Sequence, residues 1–81
     1  MKIGVRFFGR CQELVGKDEL ETDIEEGATV GNLCLKLAKD FPNLEDDFHT
    51  LMVAVNAQQT DWECTLREGD KVDFISTLGG G

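Results

Sequence analysis

The 81-residue chain has one proline, one tryptophan, one histidine, no tyrosine and three cysteines. Each shortage excludes something. Cys11, Cys34 and Cys64 are odd in number and widely spaced, which is not a disulfide framework. No C-x-x-C pair exists, so zinc-ribbon and thioredoxin-type motifs are excluded. A plant-type iron–sulfur centre would need a fourth cysteine in a tight cluster. This cysteine usage suits a reducing cytoplasm. The single histidine, His49, has no cysteine or carboxylate at ligand or catalytic spacing and is assigned no role. No apolar run approaches the ~20 residues of a membrane span. The opening residues, Met1-Lys2-Ile3-Gly4-Val5-Arg6, contain no apolar stretch of signal-peptide length. Bases are scarce as well: eight against sixteen acids leave a net charge of −8. Such a surface repels nucleic acid and anionic membrane, and it favours a partner with a basic surface. A chain this short buries only roughly 60–65% of its unfolded surface, which leaves little room for an enclosed active-site cavity.

What is present is patterning. From Lys2 to Phe8, Ile3, Val5 and Phe7 alternate with Lys2, Gly4, Arg6 and Phe8, the signature of a half-buried strand. Gly9 breaks it. Residues Arg10 to Val15 suit a short helical turn that packs Leu14, and Cys11 with it, inward. Gly16 then reverses the chain. A second strand is predicted from Asp18 to Glu25, with Leu20, Thr22 and Ile24 on one face. Six of the nine residues from Asp18 to Glu26 are acidic. Carboxylates alternating along a strand point outward in a row rather than converging on a cation, so this is a solvated face.

The strongest helix signal begins at Thr29, a good N-cap preceded by Glu25 and Glu26. Val30, Leu33, Cys34, Leu37, Ala38 and Phe41 recur at helical spacing, and Pro42 ends the run. Cys34 lies within that apolar stripe and reads as a buried, inert thiol. Asn43 to Thr50 is polar, anchored by Leu44 and Phe48, and allows a short helix. Leu51 to Asn56 reads as a third strand with Leu51, Val53 and Val55 on one face. Gln58 to Thr60 reads as a turn or short edge strand. Trp62, Cys64 and Leu66 then alternate before the turn Glu68-Gly69-Asp70, with Trp62 as a core or rim aromatic. Lys71 to Ser76 is the last strand, with Val72 and Phe74 on one face and Asp73 and Ile75 on the other. Two strands, a crossing helix, then further strands predict an α+β fold of the β-grasp, ubiquitin-like type: a mixed sheet of four to five strands with one main helix on one face. The expected organisation is one domain over residues 1–78 and a flexible glycine tail over 79–81.

Gly79-Gly80-Gly81 is the feature packing does not explain. Glycine has nothing to bury and costs the most backbone entropy to order. A frayed terminus is the plain reading. The functional one is geometric: a glycine tail is thin enough to enter a partner's channel and present the carboxylate of Gly81 to a reactive centre. A carboxylate is a poor electrophile, but attack on ATP makes an acyl-adenylate that sulfur or an amine can displace. The chain then needs no catalytic side chains, and it offers no plausible constellation of them.

Four stretches carry a resemblance. Phe7-Phe8-Gly9-Arg10-Cys11-Gln12-Glu13-Leu14-Val15-Gly16, Val53-Ala54-Val55-Asn56, Glu68-Gly69-Asp70-Lys71-Val72 and the terminal Gly80-Gly81 resemble, in order and spacing, the MoaD family, the small subunits of molybdopterin synthase. The likeness touches both ends and the middle of the chain. It departs in two places. Ser76-Thr77-Leu78 stands where the family often has a Pro-Pro-Val-like segment, and Gly79 precedes the usual glycine pair. The resemblance implies a sulfur carrier. A MoeB-like enzyme would adenylate Gly81 with ATP, which this chain does not itself bind. Sulfur would replace oxygen to give a thiocarboxylate, and a MoaE-like large subunit would move that sulfur onto a pterin precursor of the molybdenum cofactor. No bound cofactor or metal is expected. Carriers of the ThiS type serving thiamine thiazole, tRNA thiolation, an amino acid or a tungsten cofactor share the fold and tail. So does a ubiquitin-like binding or conjugation module.

Strand alternation adds a docking surface. Phe8, Ile75, Met52 and Ala54 fall on the outer face of a β-grasp sheet, beside the root of the tail. With Leu78 and Gly79 they are the candidate partner contacts, and the acidic surroundings would steer them toward a basic partner.

Overall fold

Residues alternating in and out of a core should pair as strands, and five do. The chain is described by a computed structural model over residues 1–76, apart from the side chains of Asp46, Asp47 and His49. The elements are β1 (Lys2–Phe8), α1 (Arg10–Val15), β2 (Glu19–Asp23), α2 (Val30–Asp40), a 3-10 helix (Pro42–Thr50), β3 (Leu51–Val55), β4 (Gln58–Thr60) and β5 (Lys71–Ser76). The sheet order is β2-β1-β5-β3-β4. β1 and β5 run parallel at its centre, and the other pairs are antiparallel. This is the β-grasp architecture, a mixed sheet with one main helix.

The inner face carries the core. Ile3, Val5, Phe7, Val53, Val72 and Phe74 meet Val30, Leu33, Cys34 and Leu37 of α2, all buried. Phe7 and Phe74, register partners on β1 and β5, stack with centroids 6.1 Å apart. Leu20, Ile24 and Val55 are half-buried and pack on the margin. Of the two residues expected inward from α1, Cys11 is fully buried and Leu14 only half-buried; Val15 completes the contact instead. β2 is shorter than its alternation suggested, and Glu19, Glu21 and Asp23 line its exposed face.

Thr29 caps α2. Its Oγ1 accepts from the Asn32 N–H at 3.2 Å, and Asn32 Oδ1 accepts from the Thr29 N–H at 2.9 Å. The next two N–H groups, of Val30 and Gly31, donate to the carbonyls of Cys64 and Trp62, both at 2.9 Å. That use of its backbone explains why the alternating segment Trp62–Leu66 is not a strand. Only Leu66 of the three is buried, and Trp62 is a rim aromatic set edge-on to Phe48.

Two of the sequence motifs meet. Asn56 and Ala57 make the two-residue turn between β3 and β4, both at positive φ. The Asn56 side chain donates to Asp70 Oδ1 at 2.9 Å and accepts from the Lys71 N–H at 3.0 Å. The hairpin is thereby fastened to the turn that starts β5.

Candidate functional site

On the outer sheet face, alternation lays side chains in cross-strand rows, and the character of the rows changes toward the C-terminal end of β5. Glu21, Gly4 and Lys71 lie in one register row across β2, β1 and β5. The next holds Glu19, Arg6, Asp73 and Ala54. The last holds Phe8, Ile75 and Met52. Phe8 is 42% exposed and Met52 37%, while Ile75 between them is half-buried. Three apolar side chains from β1, β5 and β3 thus form one uncovered row where β5 ends. Ala54, the fourth candidate, is half-buried on the same face one row back, beside the charged pair.

That pair was not foreseen. Arg6 Nε donates to Asp73 Oδ1 at 2.7 Å, and Nη2 donates to Oδ2 at 2.9 Å, a two-pronged ion pair. Asp73 faces outward as its position in the strand requires, yet it is buried, because the guanidinium of Arg6 covers it. The hydrogen bond to Asp73, then its charge, raises the Arg6 pKa. The guanidinium carbon also lies 5.5 Å from the centre of the Phe8 ring, so the ion pair supports one side of the apolar row. The separation of 67 residues hides this contact from any local pattern.

The thiols divide by environment. Cys34 is buried in the α2 stripe, and burial pushes its pKa up to about 12. Cys11 is fully buried, with its Sγ directed at the carbonyls of Phe8 at 2.9 Å and Phe74 at 3.2 Å. Cys64 is half-exposed. Among the described residues, no three of His, Cys, Asp and Glu are grouped to hold a metal ion, and no helix is long and apolar enough to cross a membrane. Leu78, Gly79, Gly80 and Gly81, together with the 78/79 boundary, lie outside the described residues.

The model of the ThiS family matches residues 5–81. Over 82 residues the chain is 32% identical to the molybdopterin synthase sulfur carrier subunit of Mycobacterium tuberculosis, spanning 100% of this chain and 99% of that one. It is 30% identical over 84 residues to the protein of the same name from Chlamydomonas reinhardtii, with both chains fully spanned. Among solved structures it superposes with a TM-score of 0.85 on a putative molybdopterin converting factor, subunit 1, from Pyrococcus furiosus. That match is 28% identical and covers 96% of this chain and 99% of the other.

Proposed function

The chain belongs to the ThiS family, and on that premise we propose that it is a sulfur carrier, the small subunit of a molybdopterin synthase. The observation that carries this is the end-to-end similarity to sulfur carrier subunits, in which the family match runs through Gly81. In this reading the carboxylate of Gly81 attacks the α-phosphorus of ATP on a MoeB-like adenylating enzyme. The bond to pyrophosphate breaks, and an acyl-adenylate forms. Sulfide from the sulfur donor then adds to the acyl carbon, expels AMP and loses its proton, leaving a C-terminal thiocarboxylate. The tail enters a MoaE-like large subunit, where the sulfur passes to a pterin precursor and water restores the carboxylate. Gly80 and Gly79 give that approach a backbone without side chains. The catalytic groups belong to the two enzymes, and the setting is cytoplasmic.

The described residues supply the docking part of the reaction. Phe8, Ile75 and Met52 are an apolar anchor next to the strand end from which the tail departs. Apolar and aromatic side chains desolvated at the centre of an interface carry most of its binding energy. The net charge of −8 steers the carrier toward basic partner surfaces. The test is direct. The protein is incubated with its adenylating enzyme, ATP and a sulfur donor, and its intact mass is recorded. A sulfur-for-oxygen mass gain is expected, and it should be absent from a variant lacking Gly81. Failure of the wild type to gain mass, while a known carrier does so in parallel, refutes the proposal.

A further inference from the structure

The apolar row of Phe8, Ile75 and Met52 has a charged neighbour that folding does not ask for. Asp73 points to the outer face, yet it is only 7% exposed, and Arg6 holds it by Nε at 2.7 Å and Nη2 at 2.9 Å. The Arg6 side chain itself stays 47% exposed. An ion pair so open to water adds little to stability. It gains weight where water is excluded, because the same charges attract more strongly at lower dielectric. Its place in the sheet supplies that condition. Arg6 and Asp73 sit one row behind Phe8 and Ile75, on the same strands and the same face, and the guanidinium carbon lies 5.5 Å from the Phe8 ring centre. A surface that buries the row reaches the pair, about 7 Å further along each strand. The platform is fixed where the row lies: the Cys11 N–H donates to Ser76 Oγ at 2.9 Å, and the Cys11 thiol faces the carbonyls of Phe8 and Phe74.

We propose that Arg6 and Asp73 act as one neutral unit of the docking surface, with Arg6 a specificity-determining residue for the large subunit. This inference rests on the sulfur-carrier reading above and on the assignment of the apolar row to docking. In the free protein the guanidinium already keeps the Asp73 carboxylate from water. Docking then strips water only from the guanidinium, a cation more weakly hydrated than an ammonium. Without Arg6, Asp73 would regain its water in the free protein, lose it again on docking and stand unpaired in the interface. The pair is not a hook for an anion. Glu19, the register partner of Arg6 on β2, also acts on the guanidinium, so two carboxylates already balance one cation. The partner surface it fits is uncharged: apolar side chains over the row and the guanidinium plane, with a carbonyl oxygen at the Nη1 edge that Asp73 does not use. The basic groups that the net charge of −8 attracts then lie around this patch rather than on it.

Wild type, Arg6→Ala, Arg6→Lys and the double variant Arg6→Ala/Asp73→Ala are titrated calorimetrically against the large subunit, and each is melted alone. Arg6→Ala is expected to bind about tenfold or more weakly, as for a hot spot, with little change in melting temperature. Arg6→Lys keeps the charge but neither the fork nor the plane, and it should still lose about threefold or more. Removing Asp73 as well should recover affinity, because no carboxylate is left unpaired: the double variant should bind at least about threefold more tightly than Arg6→Ala alone. Unchanged affinity in Arg6→Ala, with wild type binding, overturns this inference alone. So does a double variant that binds no better than Arg6→Ala, which would make Arg6 a contact that acts without Asp73. Should Arg6→Ala fail to fold, Arg6→Lys decides, and wild-type affinity there overturns the inference. If wild type neither gains sulfur nor binds the large subunit, the sulfur-carrier reading fails and takes this inference with it.

Discussion

The two faces of β1, β5 and β3 are built from neighbouring residues of the same strands, and they do different work. Inward, Phe7, Phe74 and Val53 are almost fully buried against α2 and each other. Outward, one residue along, Phe8, Ile75 and Met52 line up across the same strands with no element of the described residues above them. A buried apolar residue is accounted for by the water it leaves and the packing it gains. Singly exposed apolar residues are ordinary, but a contiguous row beside the strand end calls for a partner. The inner face is therefore the part of the sheet that folding requires, and the outer row is the part to which we assign recognition.

That division can be broken by exchanging probes between faces. The largest effect should come from the inner face. Phe74→Ala empties the centre of the core and should cost about 3–5 kcal/mol in a denaturant titration. Against a total of roughly 4–12 kcal/mol for a chain of this size, that leaves the variant at the edge of folding. A loss below about 1 kcal/mol would mean the two faces are not so different.

Phe8→Ala, one β1 residue beyond the register partner of Phe74, should do the reverse. It should weaken binding to the large synthase subunit by about 1–3 kcal/mol, as for an interface hot spot, with the melting temperature little changed. Calorimetric titration of both proteins measures this. Equal affinities, or unfolding of the variant, would remove the assignment of the outer row to docking.

Cys34 sharpens the inner side. Cys34→Ala should cost on the order of 1 kcal/mol through the small cavity it leaves. It should also change the alkaline limb of stability. The folded thiol ionises only at about 12, raised by burial from 9.0. Between those values the unfolded chain gives up a proton that the native state keeps, so stability falls as pH rises through that window and is fully present below it. Urea titrations across it should show a steeper decline for wild type than for Cys34→Ala.

The smallest expected effect is on sulfur transfer itself. Cys11→Ser, Cys34→Ala and Cys64→Ser should each still gain the sulfur mass at Gly81, because the carboxylate rather than a thiol is the proposed carrier. A cysteine variant that folds normally yet takes up no sulfur would contradict this.

Much of the fold was legible because it rests on local rules. Period-two alternation placed Phe7 and Phe74 inside and Phe8 and Ile75 outside, and Thr29 marked the start of α2. Where alternation misled, at Trp62, Cys64 and Leu66, the backbone had another use: two of its carbonyls serve the first N–H groups of α2. Around α1, period alone could not rank Cys11 against Leu14, because which side of so short a helix faces the core depends on where the end of β5 lies.

The sequence by itself determined the strands, the main helix and the glycine-rich end, since each follows from steric and solvation preferences acting between near neighbours in the chain. Only the tertiary structure decided that Arg6 lies over Asp73, that Cys11 holds Ser76, and that Phe8, Ile75 and Met52 share one row from which Ala54 is set back beside Asp73. These contacts join residues tens of positions apart. They exist because β5 inserts parallel to β1 in a single register, and a slip of β5 by one residue would turn Asp73, Ile75 and Ser76 to the opposite face.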